Sequence, residues 1–210
     1  MPTSPHPTST DLLVLHTLRC IGFSSLARVS EATGLPEDEV ESELIDLAVA
    51  GLVTRLRGEF GGWGLTDAGR TADGERIAAD LDAVGAREAV TAAYDDFLVL
   101  NPELLNLCTA WQTRATEGGM RLNDHSDLFY DMGILDQLAE FDHRADAVLT
   151  GLAATLGRFL RYRARLAEAL TRARAGALDY VTDNMSSYHS VWFQLHEDLL
   201  VTLGIPRHGS

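Results

Sequence analysis

"LPEDEVESELIDLAVAGLVTRL" (residues 35–56) is followed, after a Gly-rich stretch, by "LTDAGR" (residues 65–70). The first segment opens with Pro36, which suits the first position of a helix, and places acids in the first turn, where the helix dipole favours them. On a helical wheel Val40, Leu44, Leu47 and Gly51 fall on one side, so this face packs inward. The opposite side carries Asp38, Ser42, Ile45 and Val49, with Asp46 next to it, and no base anywhere along the helix. Gly51 ends it. "LVTRLRGEFGGWGL" then reads as strand, turn, strand, with Gly58 to Gly62 at the bend. Thr66 caps a further helix that begins at Asp67 and runs to about Val84.

Upstream, Leu12, Leu15, Leu18 and Ile21 recur at helical spacing, behind a cap at Ser9 or Thr10, and the helix ends near Gly22. "FSS" is a short extended piece, and "LARVSEATG" is a second helix closed by Gly34. Helix, short strand, helix, helix, β-hairpin, helix is the order of a winged helix-turn-helix. Residues 11–80 resemble the winged-helix domain of MarR-like and PadR-like bacterial transcription regulators. The resemblance rests on "LARVSEATGL", "LIDLAVAGLVTRL" and "LTDAGR", and covers one third of the chain. It implies a DNA-binding transcriptional regulator acting as a homodimer, with Arg28, Ser42, Arg55, Arg57 and Arg70 against DNA. The sequence departs from that pattern where it matters: Glu39, Glu41 and Glu43 stand where small polar or basic residues are usual. DNA reading needs donors for bases and phosphates. An alternative is therefore open: a protein-interaction or ligand-sensing module that no longer binds DNA. The exposed pair Ile45 and Val49 favours it.

All 17 basic residues are Arg, and the net charge is −14. That balance disfavours non-specific contact with nucleic acid or anionic lipid. The wing arginines have neighbouring acids to pair with: Glu59, Asp67, Asp73 and the helix acids. No apolar run reaches the ~18 residues that would span a membrane. "MPTSPHPTST" lacks the features of a secretory signal and reads as a disordered arm over residues 1–9, consistent with a cytoplasmic protein. Cys20 and Cys108 sit in apolar helical contexts and read as buried thiols.

Gly85 marks a seam between residues 10–84 and an all-α region over 85–208, which resembles helical domains of uncharacterised actinobacterial regulators. The fold class expected is mainly α: a winged helix-turn-helix, then an all-α ligand-sensing or dimerisation domain. "AREAVTAAYDDFLVL" is a helix, and Asn101-Pro102 restarts a second one. "TEGGMRLNDHS" reads as a loop. Residues 127–156 are helical, with a break near Gly133. The segment 157–176 is an amphipathic helix in which Arg158, Arg161 and Arg165 share a face, either an anion site or a solvated face paired with acids. "ALDYVTDNMS" is a loop before the last helix, which Gly204 and Pro206 stop.

That last helix places His189, Phe193 and His196 on one stripe. Two apolar stripes make it a central element. Its imidazoles need polar partners, and "NDHSD" (123–127) offers them. His125, Trp111, His189, Trp192 and His196 are therefore expected to form one effector pocket. Metal binding is the lesser reading, since His189 and His196 stand roughly 10 Å apart along the helix. No metal or cofactor is expected. No GxSxG, P-loop or GxGxxG motif and no Cys/His pair is visible, so no catalytic role is expected.

Overall fold

A computed structural model of the protein describes residues 6–58, 61–116 and 118–206. Residues 1–5 of the expected arm and Glu59 in the hairpin turn lie outside them. Among the described residues the protein is mainly helical: α1 (Thr10–Ile21), α2 (Leu26–Thr33), α3 (Glu37–Val49), α4 (Asp67–Ala83), α5 (Arg87–Gln112), α6 (Leu128–Thr155), α7 (Leu160–Arg174) and α8 (Tyr188–Leu203). Two antiparallel hairpins interrupt them, β1 (Val53–Leu56) with β2 (Gly62–Leu65), and β3 (Thr113–Thr116) with β4 (Gly119–Leu122). Among the described residues no helix is long and apolar enough to cross a membrane.

The LTDAGR segment has a physical job. Thr66 donates its hydroxyl to the carbonyls of Gly51 and Leu52, and its oxygen caps α4 by accepting from the Gly69 amide. Gly69 then lies against the Leu52 carbonyl so closely that an added Cβ would stand 1.9 Å from that oxygen. The α3–β1 turn and the start of α4 are thus locked backbone to backbone, at a contact only glycine permits. Ser24 exchanges two backbone hydrogen bonds with Trp63, of 2.9 and 2.8 Å, and so adds one bridge to the β1–β2 hairpin.

Two apolar clusters form. One gathers Val14, Leu15, Leu18, Val29, Val40, Leu44, Leu47, Val53 and Trp63 from α1, α2, α3 and the first hairpin. The other spans α5 to α8, around Phe97, Trp111, Phe141, Phe159, Tyr162, Tyr188 and Trp192, and reaches back to Leu81 on α4. Helix α8 is central, packing on α1, α4, α5 and α7.

The expectations for the second half need three corrections. Asn101-Pro102 does not restart a helix: α5 runs unbroken through Pro102. Asn101 is no cap, because its Oδ1 accepts the Trp192 indole N–H at 3.0 Å. Packing of Phe97, Leu104, Leu107 and Trp111 carries the helix past the missing proline donor. Nor is α6 broken at Gly133. Residues 113–116 and 119–122, read as part helix and part loop, form the β3–β4 hairpin. It is missed because β4 is exposed at every position, so no period-2 alternation marks it. The end of the arm is ordered too, with His6 Nε2 2.9 Å from Asp80 and His6 bridged to Leu156.

The Arg158–Arg161–Arg165 face is not solvated. It lies between the two halves, where Asp198 of α8 is fully buried. The Asp198 carboxylate meets His16 Nε2 at 3.0 Å, Arg158 Nε at 3.4 Å and Arg161 Nη2 at 3.1 Å. It also accepts the hydroxyls of Tyr162 at 2.9 Å and Thr202 at 3.0 Å. His16, itself fully buried, bonds through Nδ1 to Asp73 on α4 at 3.0 Å. Arg158 also reaches Asp80 at 3.3 Å, and Arg161 donates to Thr17 at 2.7 Å. Burial works against the imidazolium of His16, but the Cys20 sulfur and the carboxylates of Asp198 and Asp73 outweigh it and raise its pKa well above the usual value. Burial likewise opposes the Asp198 carboxylate, but His16, Arg158 and Arg161 hold it far below the usual range. His16, Cys20 and Asp198 also bring ligand atoms within 4.8 Å of one another. Both imidazole nitrogens already face carboxylates and two guanidiniums stand beside Asp198, an arrangement that suits an ion-pair cluster better than a cation.

Removing the hub leaves several buried cations unpaired. Asp198→Ala should lower the unfolding free energy by about 3–5 kcal/mol, read from denaturant melts; a loss under 1 kcal/mol would deny it that role. The pH dependence follows from linkage. The raised His16 pKa adds stability that is complete below about 6.5 and is lost as pH rises through the folded value. The depressed Asp198 pKa adds stability that is complete above about 3.9 and is lost as pH falls. Stability should therefore peak between these limits, and His16→Gln should abolish this residue's alkaline decline.

Candidate functional site

The residues expected against DNA do not present one basic strip. Arg28 is half-buried, and its guanidinium bonds to the Met185 carbonyl at 2.5 Å and to Ser186 Oγ at 3.2 Å, tying α2 to the segment before α8. Its role is a structural tie across the two halves. Arg55 lies over the Trp63 ring at 5.0 Å and 3.9 Å from Glu41 of α3. Arg70 is 4.0 Å from Asp67. Arg57 and Ser42 are exposed. On α3, Ile45 is 48% exposed and Val49 85% exposed, amid Asp38, Glu39 and Asp46 at the surface.

The residues expected to form one effector pocket divide into two places. His189, Trp192 and His196 line a cleft of about 600 Å³ between α5 and α8, together with Tyr94, Asn101 and Phe193. Its volume is in the range of small-molecule sites. The His196 ring lies 5.0 Å from Phe97 and 6.0 Å from Tyr94. Phe97 stacks on Trp192 at 4.6 Å, giving the cleft an aromatic floor. Burial lowers the pKa of His189, which keeps its imidazole neutral at pH 7, with one nitrogen to donate and one to accept. Burial and the Asp95 charge raise that of Tyr94, so its phenol stays protonated. Two imidazoles, a phenol and an amide over an aromatic floor suit an uncharged ligand with a few polar groups. Sequence reading missed Tyr94 and Asn101. Their signal was the stripe Tyr94, Leu98, Asn101, Leu105 at i, i+4, i+7 and i+11, concealed by the reading of Asn101 as a cap.

The 123–127 segment does not join this cleft, which corrects the single-pocket expectation. The His125 ring lies tilted against Trp111 at 4.6 Å, and Trp111 lies ten residues, about 15 Å, along α5 from Asn101. His125 Nδ1 donates to Asp131 at 3.0 Å. Asn123 gives its amide hydrogens to Asp131 at 2.8 Å and to the Trp111 carbonyl at 2.9 Å. Asp127 caps α6 through the Tyr130 amide and takes Arg114 at 2.9 Å. The segment is a folding device that closes the second hairpin onto α6. His125 holds φ 55°, a left-handed conformation that His adopts more readily than most residues.

Met120 and Leu122 on β4, and Leu128, Phe129 and Met132 in the first turns of α6, are exposed apolar side chains, with Phe129 91% exposed.

Asn101→Ala should strand the Trp192 indole N–H at the cleft wall and cost about 1–3 kcal/mol, seen as an earlier urea midpoint. An unchanged midpoint would mean that water replaces the amide, and that the bond does not hold the wall. No family model, curated protein or solved structure matches the chain.

Proposed function

We propose that residues 10–84 are a winged helix-turn-helix used as a protein-docking module, joined to a helical half that senses a small molecule in the α5–α8 cleft. The order α1, Ser24 bridge, α2, α3, β1–β2, α4 supports the fold reading. The observation that carries the function is the outer face of α3, acidic along its length and apolar at Ile45 and Val49. Duplex DNA presents one phosphate charge per ~1.7 Å of axis, and these carboxylates repel it. Arg28, Arg55 and Arg70 each have protein partners of their own. A basic protein surface with an apolar anchor is complementary to this face, charge meeting charge around a desolvated centre.

A second reading, a DNA-binding transcriptional regulator, draws on Arg55 and Arg57, both exposed on the first hairpin. One titration separates the two. A labelled random-sequence duplex at low salt should show no saturable binding to the protein. If it does bind, and Arg55→Ala with Arg57→Ala lowers the salt slope by about 2, one per lost phosphate contact, the regulator reading replaces ours.

We propose that a second copy of the chain covers the exposed apolar side chains at the start of α6, centred on Phe129. A two-fold contact sets the same surface on both subunits. An apolar patch is complementary to itself, whereas the acidic surfaces of a −14 chain repel one another. The protein should sediment as a dimer and Phe129→Glu as a monomer; a monomeric wild type would remove the assignment.

A further inference from the structure

The ion-pair cluster around Asp198 leaves two neighbouring cations without a carboxylate in direct contact. Among the described residues, no carboxylate comes within 4.0 Å of the guanidinium of Arg165 or of Arg28. Arg165 has a neutral partner instead, the Gln194 Oε1 at 2.7 Å. Arg28 has the Met185 carbonyl and Ser186 Oγ. The Nε–H groups of Arg28, Arg161 and Arg165 are all buried without an acceptor. In a chain that is otherwise strongly acidic, an unpaired cation has no shortage of carboxylates to choose from. Burying one unpaired is among the costlier things a fold can do.

These cations stand beside a pocket of about 330 Å³ between α2 and α7. Arg161 and Arg165 line it, with Arg172, Ala164, Tyr180 and Ser186. Arg172 is neutralised by Glu168 at 2.6 Å and bonds the Tyr180 hydroxyl at 3.1 Å. Glu31 and Glu168 also border the pocket. Glu31 is exposed and acts on Arg28 and Arg165 only from a distance. Arg161 has Asp198, while His16 and Arg158 also have Asp73 and Asp80, so the cations left over are Arg165 and Arg28, with the one distant Glu31 between them. The positive charge at the pocket wall is therefore in excess. Burial, with the repulsion of Arg161 and Arg28, lowers the Arg165 pKa to about 10, so Arg165 remains a cation at neutral pH.

We propose that this pocket binds a small organic anion, its carboxylate or phosphate oxygens taken by Arg165 and Arg161 and its apolar body lying on Ala164 and Tyr180. Guanidinium donors bind such oxygens through charge-assisted hydrogen bonds, roughly twice as strong as neutral ones. The anion supplies the charge that the fold leaves out. Glu31 and the helix-closing Gly34 come from α2, and the arginines from α7, so the occupant ties the two halves together. This site is separate from the α5–α8 cleft and does not depend on the function proposed for that cleft.

The test is thermal unfolding of the full chain with sodium phosphate, and separately sodium hexanoate, each against sodium chloride at equal ionic strength. A saturable rise in Tm with either probe, absent with chloride, is expected; phosphate alone or hexanoate alone identifies the preferred anion group. Arg165→Gln should weaken that binding at least about tenfold. The same variant without ligand should unfold no earlier than wild type, because an unpaired buried cation is gone; a structural Arg165 would instead lower Tm. Arg163→Gln, on the exposed side of α7, should bind as wild type does. Equal Tm in phosphate, hexanoate and chloride, or undiminished binding by Arg165→Gln, would overturn the proposal.

Discussion

Asp198 is the constraint on which the rest of the structure depends. One fully buried carboxylate on α8 gathers His16 from α1, Arg158 from the turn before α7, Arg161 and Tyr162 from α7, and Thr202 from its own helix. Charges leave water only when the geometry returns what hydration gave. Here that geometry fixes the relative position of two apolar clusters that would otherwise meet over a loosely specified surface. Through His16 the same carboxylate is linked to Asp73 on α4, and through Arg158 to Asp80 and the ordered end of the N-terminal arm. The two halves are thus joined by directional, desolvated contacts, and α8 belongs to both.

This joint bears on function. Arg28 on α2 is held by the segment before α8, and α8 also forms one wall of the His189–His196 cleft. A change in the cleft is therefore one helix away from the acidic α3 module. The α2–α7 pocket lies on the same seam. Both pockets and the seam share α7, α8 and the segment between them, and a close-packed interior transmits strain between such elements.

Much of the first half was legible because its signals are local. The Thr66 cap, the Gly34 C-cap and the spacing of Val40, Leu44 and Leu47 each act within a turn or two, and the elements fall where these residues place them. The second half was less legible at its junctions. Asn101 carries a cap's chemistry but answers to Trp192, 91 residues away. The β3–β4 hairpin buries neither face of β4 and so leaves no alternation to read. His125 and His189 look alike in sequence, each beside acids or aromatics, yet one closes a turn and the other lines a cleft.

By itself the sequence determined the helical class, the order of the first six elements and the acidic outer face of α3, because period, caps and glycine sites are short-range properties of the chain. Only the tertiary structure decided which charges would pair. His16, Asp73, Arg158 and Asp198 carry no spacing that links them. Their partnership arises because folding brings α1, α4, α7 and α8 to one point, and there the cost of burying an unpaired charge selects the partners.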